Sequence, residues 1–157
     1  MLIKDLMTRH MLTCSPEDSL ERAAQLMWEG DVGMIPAIDA KGQIAGIITD
    51  RDICMAAYTQ GCTLRDRTVG SAMSREVESC APSDSVSVAE ERMRKRQVRR
   101  LPVIDGGRLV GVVSLNDLAI TATRSKSGKG DQLSPEDVAV TLAGICHHRQ
   151  PAALAAQ

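Results

Sequence analysis

The stretch GIITDRDI at residues 46–53 is written a second time, with changed residues, as GVVSLNDL at residues 111–118. Each copy has a glycine, two aliphatic residues, a hydroxyl residue and, three positions after the hydroxyl, an aspartate. This spacing is typical of a capping box, in which the two side chains bond free amides at the start of a helix. The stretch therefore predicts, twice, a strand that ends where a helix begins.

The similarity extends outward from this stretch along most of the chain. Pro36 matches Pro102 at a separation of sixty-six residues, and Gly46 matches Gly111 at sixty-five. The missing residue falls in the turn where DAKGQIAG becomes DGGRLVG, a place where a sheet tolerates a change of length. The chain thus contains an internal repeat of two copies. The predicted boundaries are 1–62 for the first repeat and 63–122 for the second.

Each repeat is predicted as strand, helix, strand, strand, helix. Leu20, Ala23 and Met27 recur at helical spacing, with Asp18 as the expected N-cap, and the matching helix of the second repeat starts from Asp84. Two short apolar runs follow in each repeat, IPAID with IAGII and LPVID with LVGVV, and the turns between them suit hairpins. The pattern predicts an α/β (α+β) fold with mixed sheets.

The chain beyond residue 122 has a different composition. The segment 123–133 contains RSKSGKGDQ and is predicted to be a flexible linker. Ser134 followed by Pro135 and two acidic residues predicts the start of a short C-terminal helix over 134–150, docked or free.

Composition excludes several classes of function. The formal net charge is -1, and the only aromatic residues are one Trp and one Tyr, so neither a basic field nor stacking platforms for nucleic acid are expected. No apolar stretch reaches the roughly 18 residues of a membrane span. The five cysteines lack disulfide or zinc spacing, which favours a reducing compartment. We therefore expect a cytoplasmic protein that binds neither nucleic acid nor membrane.

Two further features suggest functions but have simpler explanations. Cys146, His147 and His148 are adjacent, and neighbouring residues on a helix point about 100° apart, so a solvated helix end is favoured over a metal site or a nucleophile pair. No metal and no catalysis are predicted. Trp28 either serves an interface or is ordinarily half-buried.

The repeated hydroxyl and aspartate pair has two interpretations. The first is purely structural, since a capping box accounts for both residue types and their spacing. The second is functional, because a helix N-terminus attracts phosphate and an aspartate one turn on can accept hydrogen bonds from both hydroxyls of a ribose. A nucleotide satisfies both groups at once.

The ordered set of motifs resembles a known family. Each repeat opens with DLMT at 5–8 or SAMS at 71–74, continues with an apolar residue before proline, and closes with GIITDRD or GVVSLND. Over about residues 1–122 the chain is similar to a tandem cystathionine-beta-synthase (CBS) domain pair, or Bateman module. The resemblance implies two pseudo-symmetric β-α-β-β-α repeats packed through their sheets, with clefts for an adenosine ligand: AMP, ADP, ATP, NAD or S-adenosylmethionine. It also implies a homodimer formed through the helices, a flat disc of four repeats.

The resemblance assigns roles to particular residues. Asp52 and Asp117 would hold ribose hydroxyls, while Thr49 and Ser114 would contact phosphate or ribose oxygens. Thr13 and Ser79 would touch the base, and the residues at each proline would line the adenine pocket. The complete candidate binding set is Thr13, Met34, Ile35, Pro36, Thr49, Asp50, Asp52, Ser79, Arg99, Arg100, Leu101, Pro102, Ser114, Asn116 and Asp117.

The two repeats differ beside the proline. The second has Arg99 and Arg100 in VRRLP, where the first has Gly33 and Met34 in VGMIP. Arginine grips phosphate bidentately, so the sites are expected to be unequal, with at least one that prefers an anionic ligand. The alternative is that these arginines, with Arg96, solvate a helix end or pair with acidic neighbours.

The leading functional prediction is a stand-alone, non-enzymatic regulatory module that binds an adenosine nucleotide, changes the packing of a dimer and so alters an unknown effector protein. Two alternatives remain open. One is a structural dimerisation module that binds no ligand. The other is a small enzyme acting on a nucleotide, with Asp50 or Asp52 near a bound phosphate and metal.

Overall fold

The computed structural model describes residues 1–61, 63–124 and 133–147. Its helix and strand content, with two small antiparallel sheets, confirms the predicted fold class. Within the described ranges, no helix has both the length and the hydropathy that a membrane span requires. The helices are α1 (Leu20–Glu29), α2 (Asp50–Gln60), α3 (Val86–Arg96), α4 (Leu115–Arg124) and α5 (Pro135–Cys146), and the strands are β1 (Met34–Ile38), β2 (Ile44–Thr49), β3 (Arg100–Asp105) and β4 (Arg108–Ser114).

The predicted hairpins are present in both repeats. Strands β1 and β2 run antiparallel, and their register places Met34 opposite Thr49. Strand β3 pairs with β4 in a second two-stranded sheet. Strands β1 and β3 overlap the predicted apolar runs IPAID and LPVID, and each strand begins one residue before its run. The overlap is expected because β-branched and aliphatic side chains pack well on a pleated surface. The register brings the end of β2, where α2 begins, beside the start of β1.

The first predicted strand of each repeat is a single parallel bridge. The Cys14 amide donates to the Pro36 carbonyl at 3.1 Å, and the Cys14 carbonyl accepts from Ile38 at 2.8 Å. Cys80 makes the same bridge to Val103. The bridge stops because Pro16 has no amide to donate and the chain turns there. Parallel bridge and antiparallel hairpin together make the mixed pairing that was predicted.

The predicted N-caps of α1 and α3 are each one residue too early. Ser19, not Asp18, caps α1, and its hydroxyl accepts from the Arg22 amide at 3.1 Å. The Asp18 carboxylate is already used, because it accepts from the Ser15 amide at 2.8 Å in the preceding turn. Helix α3 begins after Ser85 rather than Asp84.

The chain divides into two compact units that do not follow the order of the sequence. The α1–α2 unit contains the described residues of 8–81 and 102–112. The α3–α5 unit contains those of 1–7, 82–101 and 113–147. Strands β3 and β4 contribute residues to both units. The repeat boundaries at residues 62 and 63 stay predictions from the sequence pattern.

Backbone hydrogen bonds explain why residues 1–7 group with the second repeat. The Ile3 amide donates to the Asp84 carbonyl at 2.9 Å, and the Lys4 amide donates to the Pro82 carbonyl at 3.0 Å. Ile3 is fully buried. The segment after α2 behaves likewise toward the first repeat, since the Leu20 amide donates to the Arg67 carbonyl at 2.8 Å.

The core of the α1–α2 unit is formed by the helix faces that the sequence predicted. Leu20, Ala23 and Met27 of α1 are buried, and they share one hydrophobic cluster with Ile35 of β1 and Ile48 of β2. Leu20, Ile35 and Ile48 are fully buried. Burying such side chains contributes roughly 1.5–3 kcal/mol each, which fixes α1 against the strands that position the candidate site.

Helix α5 is docked on α3 and α4. Thr141 is fully buried, and its hydroxyl donates to Oε1 of Glu90 at 3.1 Å and accepts from Nη1 of Arg94 at 3.0 Å. The predicted helix start at Ser134 is confirmed by its capping bond from the Asp137 amide. The helix ends at Cys146, and residues 148–150 of the predicted range, like most of the predicted linker, lie outside the described residues.

Replacing Glu90 by Gln is expected to change how stability depends on pH. Burial raises the pKa of Glu90, nearby Asp137 raises it further, and the Thr141 hydroxyl and Arg94 oppose the shift. A raised carboxyl pKa favours folding below the ordinary glutamate pKa of about 4.3, and this contribution is lost as pH rises through the folded-state pKa. Glu90→Gln keeps an acceptor for Thr141 without the charge.

Denaturant unfolding at several pH values between 4 and 8 checks this prediction. As pH rises, the free energy of unfolding of Glu90→Gln should increase relative to that of the wild type. Glu91→Gln, on the exposed neighbour in the same helix, is the control and should follow the wild type. Parallel curves for wild type and Glu90→Gln would contradict the assigned cause.

Candidate functional site

The first candidate site is the turn from β2 to α2. Thr49 is the N-cap of α2, and its hydroxyl donates to Oδ2 of Asp52 at 2.7 Å while accepting from the Asp52 amide at 3.2 Å. The Thr49 amide donates to the same Oδ2 at 2.9 Å. Both side chains are half-buried. The predicted capping box is therefore present.

The second candidate site, the turn from β4 to α4, repeats this geometry closely. The Ser114 hydroxyl donates to Oδ2 of Asp117 at 2.6 Å and accepts from the Asp117 amide at 3.2 Å. The Ser114 amide donates to Oδ2 at 2.8 Å. Two turns of unlike sequence thus hold the same side-chain arrangement, because both keep the hydroxyl and aspartate three residues apart.

Each turn leaves one carboxylate oxygen available. Among the described residues, every hydrogen bond to the side chains of Asp52 and Asp117 goes to Oδ2, so Oδ1 accepts none. The hydroxyl protons of Thr49 and Ser114 are committed to those aspartates. A ribose hydroxyl can therefore bond Oδ1 without breaking the cap, whereas a phosphate that needs the Thr49 proton must displace an existing bond.

The first turn carries an exposed carboxylate, that of Asp50. The Asp50 carboxylate lies over Gly33, where a Cβ would come within 2.9 Å of Oδ2. Oδ1 of Asp50 accepts from the Arg51 amide at 2.7 Å, and the Asp50 amide donates to the Gly33 carbonyl at 3.3 Å. The amides of residues 50–52, which would attract phosphate here, already have partners, two of them within the turn and one in the Gly33 carbonyl.

The second turn has basic residues nearby and lacks the carboxylate that the first turn carries. Leu115 stands where the first repeat has Asp50, and its amide donates to the Arg99 carbonyl at 2.9 Å. Among the described residues, the Asn116 amide has no hydrogen-bond acceptor. The guanidinium groups of Arg99 and Arg100 are exposed and form no ion pair within the described part of the chain, so pairing with acidic neighbours does not account for them.

The predicted pocket residues around the prolines are mostly core residues. Ile35 and Leu101 are fully buried, and Met34, Pro36 and Pro102 are also buried. What these residues offer a ligand is backbone rather than an exposed side chain. Their predicted contact with adenine stays a prediction.

The residues predicted to touch the base stand beside the two parallel bridges. Thr13 is exposed and precedes Cys14, and Ser79 is half-buried and precedes Cys80. Burial, with help from Asp18, raises the pKa of the Cys14 thiol to about 11, so it is protonated at neutral pH. Its thiol points to the Pro36 carbonyl, 3.9 Å away. Cys14 is thus a core residue rather than a nucleophile.

Two observations bear on how specifically the capping box and the histidines indicate a binding site. Ser134 and Asp137 at the start of α5 form a third capping box with the same bonds, so the box is not specific to the repeats. No cluster of three or more His, Cys, Asp or Glu side chains in the described ranges is arranged to hold a metal ion. His147 is exposed just after α5, and His148 lies outside those ranges.

Sequence reasoning missed one feature beside the first turn. A surface pocket of about 450 Å³ lies between α1 and α2. It is lined by Ala24, Met27, Trp28, Asp31, Val32, Gly33, Asp50, Ile53 and Cys54. The exposed side chain of Trp28 was the available signal, but its exposure was not predictable from helical spacing.

Comparison with known proteins places this geometry in a family. The family model described as "CBS domain" matches residues 3–58 and again residues 69–121. The CBS domain-containing protein YhcV of Bacillus subtilis is 37% identical over 147 residues, which cover 92% of this chain and 95% of that protein. Hypoxic response protein 1 of Mycobacterium tuberculosis is 31% identical over 116 residues, covering 74% and 81% of the two chains.

Solved structures that are similar to this chain are also CBS domain proteins. The CBS domain pair of protein MJ0100, in complex with 5'-methylthioadenosine and S-adenosyl-L-methionine, has a TM-score of 0.72 at 26% identity and covers 80% of this chain and 98% of that one. Hypoxic Response Protein I with two coordinated zinc ions has a TM-score of 0.71 at 30% identity, covering 76% and 98%. The repeated motifs, the hairpins and these matches agree: this chain belongs to the CBS domain family and contains two CBS domains.

Proposed function

We propose that this CBS domain pair binds adenosine ligands at the Thr49–Asp52 and Ser114–Asp117 turns and thereby regulates a separate effector protein. The observation that carries the proposal is the open Oδ1 of Asp52 and of Asp117, each on a carboxylate fixed through Oδ2. A held carboxylate with one open oxygen suits the two adjacent hydroxyls of a ribose. The similar MJ0100 pair, in complex with two adenosine compounds, supports this choice of ligand.

The two turns are proposed to take ligands of different charge. At the second turn, Arg99, Arg100 and the Asn116 amide offer positive groups, which suits the phosphates of AMP, ADP, ATP or NAD. At the first turn, the Asp50 carboxylate repels phosphate. A neutral or cationic adenosine compound, such as 5'-methylthioadenosine or S-adenosylmethionine, suits that turn better.

The regulatory part of the proposal is non-catalytic. The ligand would change how two copies of the chain associate, and the homodimer would pass this change to the effector. The four described cysteines carry free thiols, which supports a role in the reducing cytoplasm.

Thermal unfolding with a panel of adenosine compounds tests the proposal. The panel contains AMP, ADP, ATP, NAD, S-adenosylmethionine and 5'-methylthioadenosine. A ligand at about a hundred times its Kd should add roughly 2.7 kcal/mol of stability. We expect Asp117→Ala to remove the shift caused by phosphate-bearing compounds, and Asp52→Ala to remove the shift caused by neutral or cationic ones.

Asp137→Ala is the matched control, because it removes an identical capping carboxylate outside the repeats. It should lower the melting temperature without ligand and leave every ligand-induced shift intact. If no compound moves the wild-type melting temperature, the proposal fails.

A structural dimerisation module is the second candidate function. The observation that favours it is the capping box of α5, which is complete although it lies outside both repeats. This candidate predicts no ligand-induced shift with a wild-type dimer. The enzyme alternative predicts turnover of ATP or NAD, which chromatography of the incubated nucleotide would detect.

A further inference from the structure

The α3–α5 unit contains a surface cavity of about 280 Å³, and none of the candidate adenosine-binding residues lines it. The cavity lies where three segments meet: residues 1–2, the start of α3 and the start of α5. The first two segments are joined by the bridge between Leu2 and Ser85 and by the Val86 amide, which donates to the Met1 carbonyl at 3.2 Å. The cavity is therefore formed within one compact unit.

A buried carboxylate with one open oxygen faces this cavity. Glu90 lines the cavity and is only 6% exposed. Its Oε1 accepts from the Thr141 hydroxyl at 3.1 Å, while Oε2 accepts no hydrogen bond from the described residues. In that part of the chain, every fully buried side-chain nitrogen or oxygen has a partner. Oε2 must therefore be open to the cavity rather than enclosed in the core.

A second carboxylate lies close to the first. Asp137 lines the same cavity, and its Oδ2 accepts from the amide and the hydroxyl of Ser134, at 3.0 and 2.7 Å. Burial raises the pKa of Glu90, and the repulsion from Asp137, which raises it further, exceeds the attraction of Arg94. The Arg94 guanidinium also uses its Nη1 on Thr141. Two carboxylates with too little positive charge beside them favour a cation.

The first repeat shows which kind of group meets an acid near the start of its helix. Glu21 of α1 matches Ser87 of α3, sixty-six residues on. The Arg65 guanidinium donates to both oxygens of Glu21, from Nε at 3.0 Å and from Nη2 at 2.9 Å. In the second repeat the acid stands one turn later, at Glu90, and no cation of the described residues is bonded to it. An aliphatic cation from solution would complete the same kind of pair.

We propose that this cavity binds a small aliphatic amine or guanidine, whose cationic head bonds Oε2 of Glu90 beside Asp137. The aliphatic body of the ligand packs against Leu2 and Leu133, which also line the cavity. Because Glu90 belongs to α3 and Asp137 to α5, the bound cation links the two helices. The site is separate from the adenosine-binding turns of the proposed function and does not depend on them.

The walls of the cavity favour an organic cation over a metal ion. A water molecule takes about 30 Å³ of liquid, so the cavity has room for roughly nine, far more than one bare ion needs. The described residues include no group of three or more His, Cys, Asp or Glu side chains that could hold a metal ion. The Ser85 and Ser87 hydroxyls lie 2.8 Å apart on the cavity wall and offer an acceptor for a further N–H of the ligand.

Thermal unfolding and isothermal titration of the full chain with agmatine and with butylamine test the proposal, at constant ionic strength. We expect either amine, at about a hundred times its Kd, to raise the melting temperature by roughly 5–10 °C. Butanol, the uncharged counterpart of butylamine, should leave it unchanged. Mg²⁺ and Ca²⁺ are tested in parallel as the metal alternative.

Glu90→Gln should raise the Kd of agmatine at least about 10-fold, because a hydrogen bond to a charged group is lost. The variant keeps an acceptor for Thr141, so the fold should be retained. Glu91→Gln is the matched control, since it removes the same charge from the exposed neighbour. It should leave the Kd of agmatine unchanged.

Ser87→Lys is an independent variant that keeps both carboxylates. Residues three apart on a helix are neighbours, so the new ammonium group can reach Glu90 and occupy the place of the ligand. This variant should raise the Kd of agmatine at least about 10-fold, as Glu90→Gln does. Far-UV circular dichroism should show that both variants keep the helix content of the wild type.

The proposal is overturned if neither amine moves the melting temperature at about 10 mM, a concentration that would reveal even weak binding. It is also overturned if Glu90→Gln binds agmatine as the wild type does, or if Mg²⁺ or Ca²⁺ stabilises the chain and the amines do not. The adenosine panel is a separate test. A chain that binds agmatine but no adenosine compound would count against the proposed function alone.

Discussion

Replacing Arg99 and Arg100 together by Gln is expected to weaken the binding of ATP and AMP on the order of 100-fold, while 5'-methylthioadenosine binds as before. The Arg99 carbonyl accepts from the Leu115 amide within the Ser114–Asp117 turn, and both arginine side chains are exposed without an ion pair in the described part of the chain. A hydrogen bond to a charged group contributes roughly 1.5–3 kcal/mol, and two such bonds account for this loss. Isothermal titration with each compound measures it.

The control variant must remove the same number of positive charges as the test variant. Arg108→Gln with Arg124→Gln removes two exposed arginines from the start of β4 and the end of α4. This pair should weaken ATP binding only slightly, because exposed charges more than about 10 Å away are largely screened at 0.1 M salt. Equal losses in the two double variants would show that long-range charge, not contact, governs binding.

Gly46→Ala is expected to lower the free energy of unfolding by about 2–3 kcal/mol, a cost typical of overpacking. A Cβ at Gly46 would lie 2.6 Å from the Ser74 carbonyl oxygen and 2.7 Å from Sδ of Met73. The Ser74 backbone cannot retreat easily, because its carbonyl accepts from the Ile47 amide and its amide donates to the Ile47 carbonyl, both at 2.9 Å. The glycine that opens the repeated stretch is thus a packing requirement.

Thermal and denaturant unfolding check the effect, which corresponds to roughly 4–12 °C in melting temperature for a chain of this size. Gly33→Ala is the control, since its Cβ would meet only the end of the Asp50 side chain, at 2.9 Å. That carboxylate can rotate away, so we expect a loss below about 1 kcal/mol. Equal losses at the two glycines would contradict the argument from the Ser74 backbone.

The features predicted correctly from the sequence are those determined by nearby residues. The Thr49–Asp52 and Ser114–Asp117 boxes span three residues each, so their spacing alone indicated them. The hairpins follow in the same way from short apolar runs and turns. The N-cap of α1 was wrong by one residue because Asp18 had a competing partner in Ser15.

What could not be predicted depends on contacts distant in sequence. Thr141 meets Glu90 across fifty-one residues, and nothing in the local pattern of α5 indicated whether it docks or stays free. Of the opposite charges at the two turns, only the positive charge of the second turn could be predicted from the sequence. Arg99 and Arg100 stood out in the sequence, but the position of Asp50 over Gly33 requires the register of β1 and β2.

The grouping of residues 1–7 with the second repeat has a consequence for synthesis on the ribosome. Ile3 bonds Asp84, eighty-one residues later, and at about 5–20 residues per second that partner is made roughly 4–16 s after Ile3. During this interval the apolar side chain of Ile3 has no burial site of its own. A gene divided between the repeats would likewise encode two fragments, each lacking a segment that the other carries.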